Sequence, residues 1–149
     1  MKQRTLAILL GASLSFGSAL TSAETEHNIH VYKSPTCGCC TDWVKHLEDN
    51  GFEVDVSEVD NVTPVKIKAG LTPALSSCHT AFINDYVIEG HVPADDIRRL
   101  LSQAPQARGL SVPGMPAGSP GMEMGDRKDP YQVLLFNANG QTRVFAEYN

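Results

Sequence analysis

The stretch Asn28-Ile29-His30-Val31-Tyr32-Lys33-Ser34-Pro35-Thr36-Cys37-Gly38-Cys39-Cys40-Thr41-Asp42-Trp43 decides the fold. Polar and apolar residues alternate over 28–32, which predicts a β-strand. Ser34-Pro35-Thr36 breaks the alternation, and apolar side chains then recur at helical spacing from Cys40 to about Asn50. The chain therefore passes from a strand through a short cysteine-bearing loop into a helix, which Gly51 ends.

The remaining chain continues this alternation of elements. The pattern predicts a strand at 52–56, a short helix at 61–70, two strands joined by a turn within 81–90, a helix at 93–101 and a final hairpin within 131–146. A parallel strand pair joined by a helix and extended by a hairpin indicates an α/β fold of thioredoxin type, with a central mixed sheet flanked by helices. Residues 109–125 are rich in Gly and Pro and are expected to form a long loop, after which the final hairpin is an addition.

The first 23 residues have the order of a secretory signal. Lys2 and Arg4 precede an apolar run from Leu6 to Leu20, and small residues lead up to Ala23. The alternative is a retained membrane anchor, but the run is short against the roughly 20 residues that a span needs, and Gly and Ser interrupt it. We expect cleavage near Ala23 and a single mature domain, 24–149, with no membrane anchor.

The charge of the chain argues against nucleic acid as a partner. The formal net charge is −5 over all 149 residues, and loss of Lys2 and Arg4 with the signal makes it more negative. The sequence has no cluster of Lys and Arg residues, which nucleic-acid binding needs. Solubility is the simplest interpretation of the acidic excess.

Four cysteines carry the chemical signal, and their spacing disfavours a purely structural role. Cys37, Cys39 and Cys40 fall within four residues, and Cys78 lies far along the chain. Disulfides stabilise most when they close long loops, which the clustered cysteines cannot do among themselves. A thiol redox role is the second interpretation, because Cys37 and Cys40 have thioredoxin spacing at a strand–helix junction. There the helix start favours thiolate. Cys39 is not explained by that role.

Metal binding explains the additional thiol. Adjacent thiolates are soft ligands that select Cu(I) or zinc, and neighbouring cysteines can share several Cu(I) ions. Cys78-His79 adds a sulfur and an imidazole if its loop faces the cluster. Copper is favoured over zinc, since three ligands within four residues fit a single zinc tetrahedron poorly.

The supporting residues each have a second interpretation. Met115, Met122 and Met124 are either thioether ligands for Cu(I) or apolar residues of a loop packed over the core. His91, just before a helix, is either a further ligand or an ordinary surface histidine.

Three segments together resemble the CopG-type proteins, predicted metal-binding proteins of bacterial envelopes. They are Tyr32 to Cys40 followed by Trp43, Ser77-Cys78-His79-Thr80, and Ile88-Glu89-Gly90-His91-Val92-Pro93, with the Gly109 to Glu123 stretch also similar. The resemblance implies a thioredoxin-like periplasmic protein of copper resistance, with copper on Cys37, Cys39, Cys40 and Cys78, and His79 and His91 as further candidates.

The resemblance also implies a role in changing the oxidation state of copper. The resulting expectation is a periplasmic Cu(I)-binding protein that interconverts Cu(I) and Cu(II). Storage, or transfer to other periplasmic copper-handling proteins, requires the same ligands. The alternative is a thiol–disulfide oxidoreductase that uses Cys37 and Cys40.

Overall fold

The computed structural model describes residues 28–149, so the predicted signal and its cleavage site lie outside the described residues. The described strands are β1 Asn28–Lys33, β2 Glu53–Glu58, β3 Thr80–Ile83, β4 Tyr86–Glu89, β5 Gly109–Ser111, β6 Tyr131–Phe136 and β7 Thr142–Tyr148. The helices are α1 Gly38–Asp49, α2 Thr63–Ala69 and α3 Ala94–Gln103, with a single 3-10 turn at Pro73–Leu75. None of these helices is long and apolar enough to cross a membrane.

The strands form one mixed sheet in the order β2-β1-β3-β4-β5-β6-β7. The pairs β1–β2 and β4–β5 are parallel, and the remaining neighbours are antiparallel. The predicted α/β class, a mixed sheet flanked by helices, is confirmed. The assignment to the thioredoxin type in particular stays a prediction.

The two faces of the sheet are covered unequally. The larger apolar cluster joins α1 and α3 to the sheet and includes Trp43, Leu47, Ile97 and Leu100. A smaller cluster, Ala69, Leu75, Val87 and Phe136, joins α2 and the 3-10 turn to the sheet. Neighbouring residues of a strand belong to different clusters because successive side chains point to opposite faces. The sheet is therefore held between helices on both sides.

The prediction that 109–125 is entirely loop is wrong at its first three residues. Gly109 to Ser111 form β5, which pairs with β4 on one side and with β6 on the other. Gly109 lies so close to β4 that an added Cβ would fall 1.8 Å from the carbonyl oxygen of Val87. The glycine that suggested a loop is thus required by a close strand contact. The final hairpin consequently continues the central sheet, and the loop proper covers 112–130.

Candidate metal centre

The cysteine cluster lies where β1 runs into α1. The helix begins at Gly38, two residues before the predicted start, and Cys37 is its N-cap residue. Cys39 and Cys40 therefore belong to the first turn, where backbone N–H groups lack intrahelical partners and the helix dipole is positive. Cys40 is buried, while Cys37 and Cys39 are partly exposed. The cluster therefore lies at the positive end of the α1 dipole.

Two of the four cysteines are oxidised in this structure. Cys37 and Cys40 form a disulfide, with their Cα atoms 5.3 Å apart, and Cys39 and Cys78 are free. Cys78 therefore forms no long-range disulfide in this structure. The Sγ atom of Cys39 lies 3.5 Å from that of Cys37, so the thiol that spacing alone left unexplained touches the disulfide.

Cys78 meets this cluster from the other end of the site. The Sγ atoms of Cys37, Cys39, Cys40 and Cys78 all lie within 4.8 Å of one another. Cys78 comes just before β3, and β3 pairs directly with β1 in antiparallel orientation. The end of β1 and the start of β3 therefore meet, which brings the two cysteine segments to the same end of the sheet. The condition that the sequence analysis attached to Cys78-His79, that its loop faces the cluster, is therefore met for the sulfur of Cys78.

Two histidines surround Cys78 on its far side. The distance from Cys78 Sγ is 3.3 Å to His79 Nδ1 and 3.0 Å to His91 Nε2. Both imidazoles are fully buried. A surface position for His91, one of its two predicted interpretations, is therefore wrong. The reason is that His91 comes two residues after the end of β4 and lies on the inside of the fold beside Cys78.

The tautomer of His91 follows from its second contact. Its Nδ1 lies 2.7 Å from the carbonyl oxygen of Pro120, and a carbonyl only accepts, so Nδ1–H must be the donor. The lone pair is then on Nε2, which faces the sulfur of Cys78. Metal-binding histidines commonly donate their other ring N–H in this way, because it fixes the ring orientation.

His79 has an unsatisfied nitrogen. Its Nε2 is buried and has no hydrogen-bond partner among the described residues. Its ring packs on that of Trp43, with 4.3 Å between the centroids, and edge-on to that of His91 at 5.0 Å. A buried polar atom without a partner destabilises the fold, and the packing of the ring on Trp43 does not satisfy this nitrogen.

Burial sets the protonation of these groups. It lowers the pKa of His79 well below its ordinary 6.5, and the nearby charges of His91, Lys66 and Lys33 act in the same direction. Burial also lowers the pKa of His91, against the opposing hydrogen bond to Pro120. Burial and then the negative charge of Cys39 raise the pKa of Cys78 to about 11. The metal-free site therefore holds neutral imidazoles beside a neutral thiol.

The loop of residues 112–130 closes one side of the cluster. Gly121 has φ +80°, and a Cβ there would lie 2.6 Å from the carbonyl oxygen of Cys39 and 2.7 Å from the amide nitrogen of Trp43. The loop thus rests on the first turn of α1, and only glycine permits this approach. The next residue, Met122, is half-buried, whereas Met115 and Met124 are exposed. A thioether ligand role for the three methionines stays a prediction.

The structure also places beside the cluster residues that the sequence analysis did not single out as part of the site. Trp43 is buried in the core, where its ring packs on His79 and its Nε1 donates to the Val92 carbonyl oxygen at 2.9 Å. Lys66 and Glu89 form a buried ion pair beneath the Cys78 segment. The one available signal was the carboxylate of Glu89 at the end of an otherwise apolar strand.

The comparisons with known proteins agree with this geometry. A family model described as a protein of unknown function, DUF411, matches residues 75–122. A solved structure of a copper resistance protein, CopG in its form 2, is 48% identical in sequence to this chain and superposes on it with a TM-score of 0.79. The match covers 83% of this chain and 98% of the CopG chain. The chain belongs to the CopG family. The form 1 structure of CopG agrees, with 50% sequence identity and a TM-score of 0.77, and its match covers 81% of this chain and 96% of the CopG chain.

No curated protein matches this chain. Both of these solved structures are of copper resistance proteins. The matched region of the DUF411 model runs from the last residue of the 3-10 turn into the first part of the loop 112–130. It therefore includes Cys78, His79 and His91 but not the three clustered cysteines.

Proposed function

We propose that this chain is a periplasmic copper-binding protein of copper resistance or homeostasis, which holds Cu(I). The observation that carries the proposal is the group of four cysteine sulfurs within 4.8 Å of one another. Cys78 also belongs to a second group with His79 and His91. The proposed ligands are Cys37, Cys39, Cys40, Cys78, His79 and His91, with the Cys37–Cys40 disulfide reduced, because thiolate is the form of cysteine that binds metal.

The donor set favours copper over zinc. Crowded thiolates are soft ligands that suit Cu(I), and imidazole also binds copper. Two ligand groups that share one sulfur allow more than one ion per chain, so a multinuclear Cu(I) site is part of the proposal. Both CopG relatives are named as copper resistance proteins, which supports the same metal for this chain.

Export completes the proposal. Residues 1–23 direct the chain across the membrane and are removed near Ala23, and residues 24–149 form the mature domain. The disulfide between Cys37 and Cys40 is compatible with this, since disulfides persist mainly in oxidising compartments. Other periplasmic copper-handling proteins are the partners to which copper passes.

We extend the proposal to interconversion of Cu(I) and Cu(II). The Cys37–Cys40 pair is a two-electron couple beside the ligands. Two Cu(II) ions take one electron each from the dithiol, which forms the S–S bond and releases two protons. The products are two Cu(I) ions, and the reverse reaction consumes two protons and opens the disulfide. Once the disulfide has formed, the free cysteines Cys39 and Cys78 hold Cu(I), while the imidazoles accommodate Cu(II).

Copper titration tests the binding proposal. The tag-free mature protein is reduced, freed of reductant under anaerobic conditions and titrated with Cu(I) against a chromogenic Cu(I) chelator, with zinc in a parallel series. We expect more than one Cu(I) per chain and a lower stoichiometry for Cys39→Ser and Cys78→Ser. Thr41→Ser, an exposed change on the same helix turn, is the matched control. Zero bound Cu(I) with normal zinc binding overturns the proposal.

The disulfide favours a second candidate, a thiol–disulfide oxidoreductase acting on protein partners. In this function Cys37 attacks and Cys40 resolves. Insulin reduction by the metal-free protein separates the candidates. The oxidoreductase loses activity with Cys37→Ser and keeps it with Cys39→Ser, whereas loss with both variants contradicts it.

A further inference from the structure

We propose that the buried ion pair of Lys66 and Glu89 positions Cys78 and His79 for metal binding, an inference that rests on the proposed function. The two side chains contact the segment 77–80, and Lys66 comes from α2, which packs on the face of the sheet opposite α1. Neither residue belongs to the proposed ligands. Their role is to hold the backbone that carries two of the ligands.

Glu89 fixes the segment at its beginning and its end. One carboxylate oxygen, Oε1, accepts the backbone N–H of Ser77 at 2.6 Å. The other, Oε2, accepts the hydroxyl of Thr80 at 2.7 Å. The side chain of Glu89 is fully buried, at the end of β4. A single carboxylate thus binds the residue before Cys78 and the residue after His79.

Lys66 completes the arrangement from a different element. It lies on α2, and its ammonium contacts Glu89 Oε1, the Thr80 hydroxyl at 3.0 Å and the His79 carbonyl oxygen at 3.4 Å. The amide of Gly90 also donates to that carbonyl, at 3.2 Å. The backbone at 77–80 is therefore restrained by α2 and β4 together.

Energetics suggest that this pair serves geometry more than stability. Removing two charges from water is unfavourable, and apolar replacements of similar size are often as stable as a buried ion pair. The carboxylate has the two acceptor oxygens that the Ser77 amide and the Thr80 hydroxyl need, which an apolar side chain lacks. Ligand atoms bind a metal only within tenths of an ångström, so a fixed backbone at Cys78 and His79 matters directly.

The test measures Cu(I) affinity by chelator competition in Glu89→Gln and Thr80→Val. Outer-shell changes typically weaken metal binding about 10- to 100-fold, and we expect a loss of at least about tenfold in both variants. Thr80→Val keeps the ion pair intact, so the proposal remains testable if Glu89→Gln does not fold. In the metal-free reduced protein, we also expect Cys78 to be alkylated faster in both variants.

A double-mutant cycle separates positioning from general destabilisation. In a Cys78→Ser, His79→Phe background the effect of Thr80→Val on Cu(I) affinity should disappear, because the positioned ligands are gone. Asp96→Asn is the matched control, since Asp96 is also a buried carboxylate with an arginine partner, Arg99, and a hydroxyl partner, Tyr148. It should lower the free energy of unfolding without changing the affinity.

The outcomes distinguish this inference from the proposed function. If the wild type binds no Cu(I), the proposed function fails, and the alkylation rates alone decide the positioning role. If the wild type binds Cu(I) and Thr80→Val binds it equally well, with unchanged alkylation of Cys78, the positioning role is overturned and copper binding stands.

Discussion

At the scale of the residue, Cys78 is the centre of the site. Its sulfur belongs to both ligand groups and contacts His79 and His91 directly. Because its pKa is raised to about 11, the metal-free thiol keeps its proton at neutral pH. Thiolate is the form that binds metal, so a bound ion must displace this proton, and metal affinity must rise with pH.

The raised pKa predicts slow alkylation of Cys78. At pH 8 a pKa of about 11 leaves roughly 100-fold less thiolate than the ordinary cysteine value of 9.0. We expect iodoacetamide to modify Cys78 in the metal-free folded protein roughly 100-fold more slowly than in the same chain unfolded in urea. Cys39→Ser should speed the reaction, because it removes a negative neighbour. Peptide mass spectrometry measures both rates, and equal rates in folded and unfolded chains would contradict the pKa.

At the scale of the element, the loop of residues 112–130 holds the site together from outside the sheet. Its Pro120 carbonyl accepts the Nδ1–H of His91, and Gly121 rests against the first turn of α1. The loop therefore contacts both the helix that carries the clustered cysteines and a histidine beyond β4. This dual contact depends on the absence of a side chain at Gly121.

Replacement of Gly121 should separate the loop from α1. Gly121→Ala adds a Cβ into contact with backbone atoms, an overpacking that destabilises by about 1–3 kcal/mol, in addition to the penalty for its positive φ. Gly125→Ala is the matched control, since Gly125 also has positive φ but open space around its Cα. Urea unfolding should show the larger loss for Gly121→Ala, together with loss of the slowly exchanging His91 Nδ1–H signal in NMR. Equal losses for the two variants would refute the contact.

At the scale of the whole molecule, buried histidines make the metal-free fold sensitive to acid. Burial lowers the pKa of His79, His91 and His46 below the ordinary 6.5. His46 contributes through a different contact, because its Nε2 accepts the Ala94 N–H at the start of α3 at 3.1 Å. Between the folded and the ordinary pKa, the unfolded chain binds protons that the folded chain does not.

The sign of this linkage predicts loss of stability on acidification. The neutral histidines make their full contribution to the free energy of unfolding above about pH 6.5. This contribution decreases as the pH falls, by up to about 1.4 kcal/mol per pH unit for His79. Urea unfolding of the metal-free protein at pH 7 and pH 5 measures the change. His79→Phe should flatten this dependence, because phenylalanine has no proton to bind. A wild-type free energy of unfolding that is equal at the two pH values would contradict the buried neutral imidazoles.

The local chemistry of the site was readable from the residues alone. Alternation marked β1, helical spacing marked α1, and the cysteines between them identified a reactive sulfur cluster. These features depend on neighbours within a few positions, so local periodicity is sufficient to predict them. Cys39 favoured metal binding over a simple redox pair because it lies between Cys37 and Cys40 in the sequence, which is also a local feature.

Only the tertiary structure decided what surrounds those cysteines. The sheet order places β3 beside β1, and so brings Cys78 and His79 to the cluster. β5 is too short to show a period, and its partners β4 and β6 come from distant parts of the chain. The contacts of His91 with Pro120 and of Lys66 with Glu89 also join distant segments. The sequence by itself therefore determined that the site is a cluster of reactive cysteines. Packing across the sheet decided that two imidazoles, a buried ion pair and the loop lie around this cluster, because contacts between distant segments leave no local periodic signal.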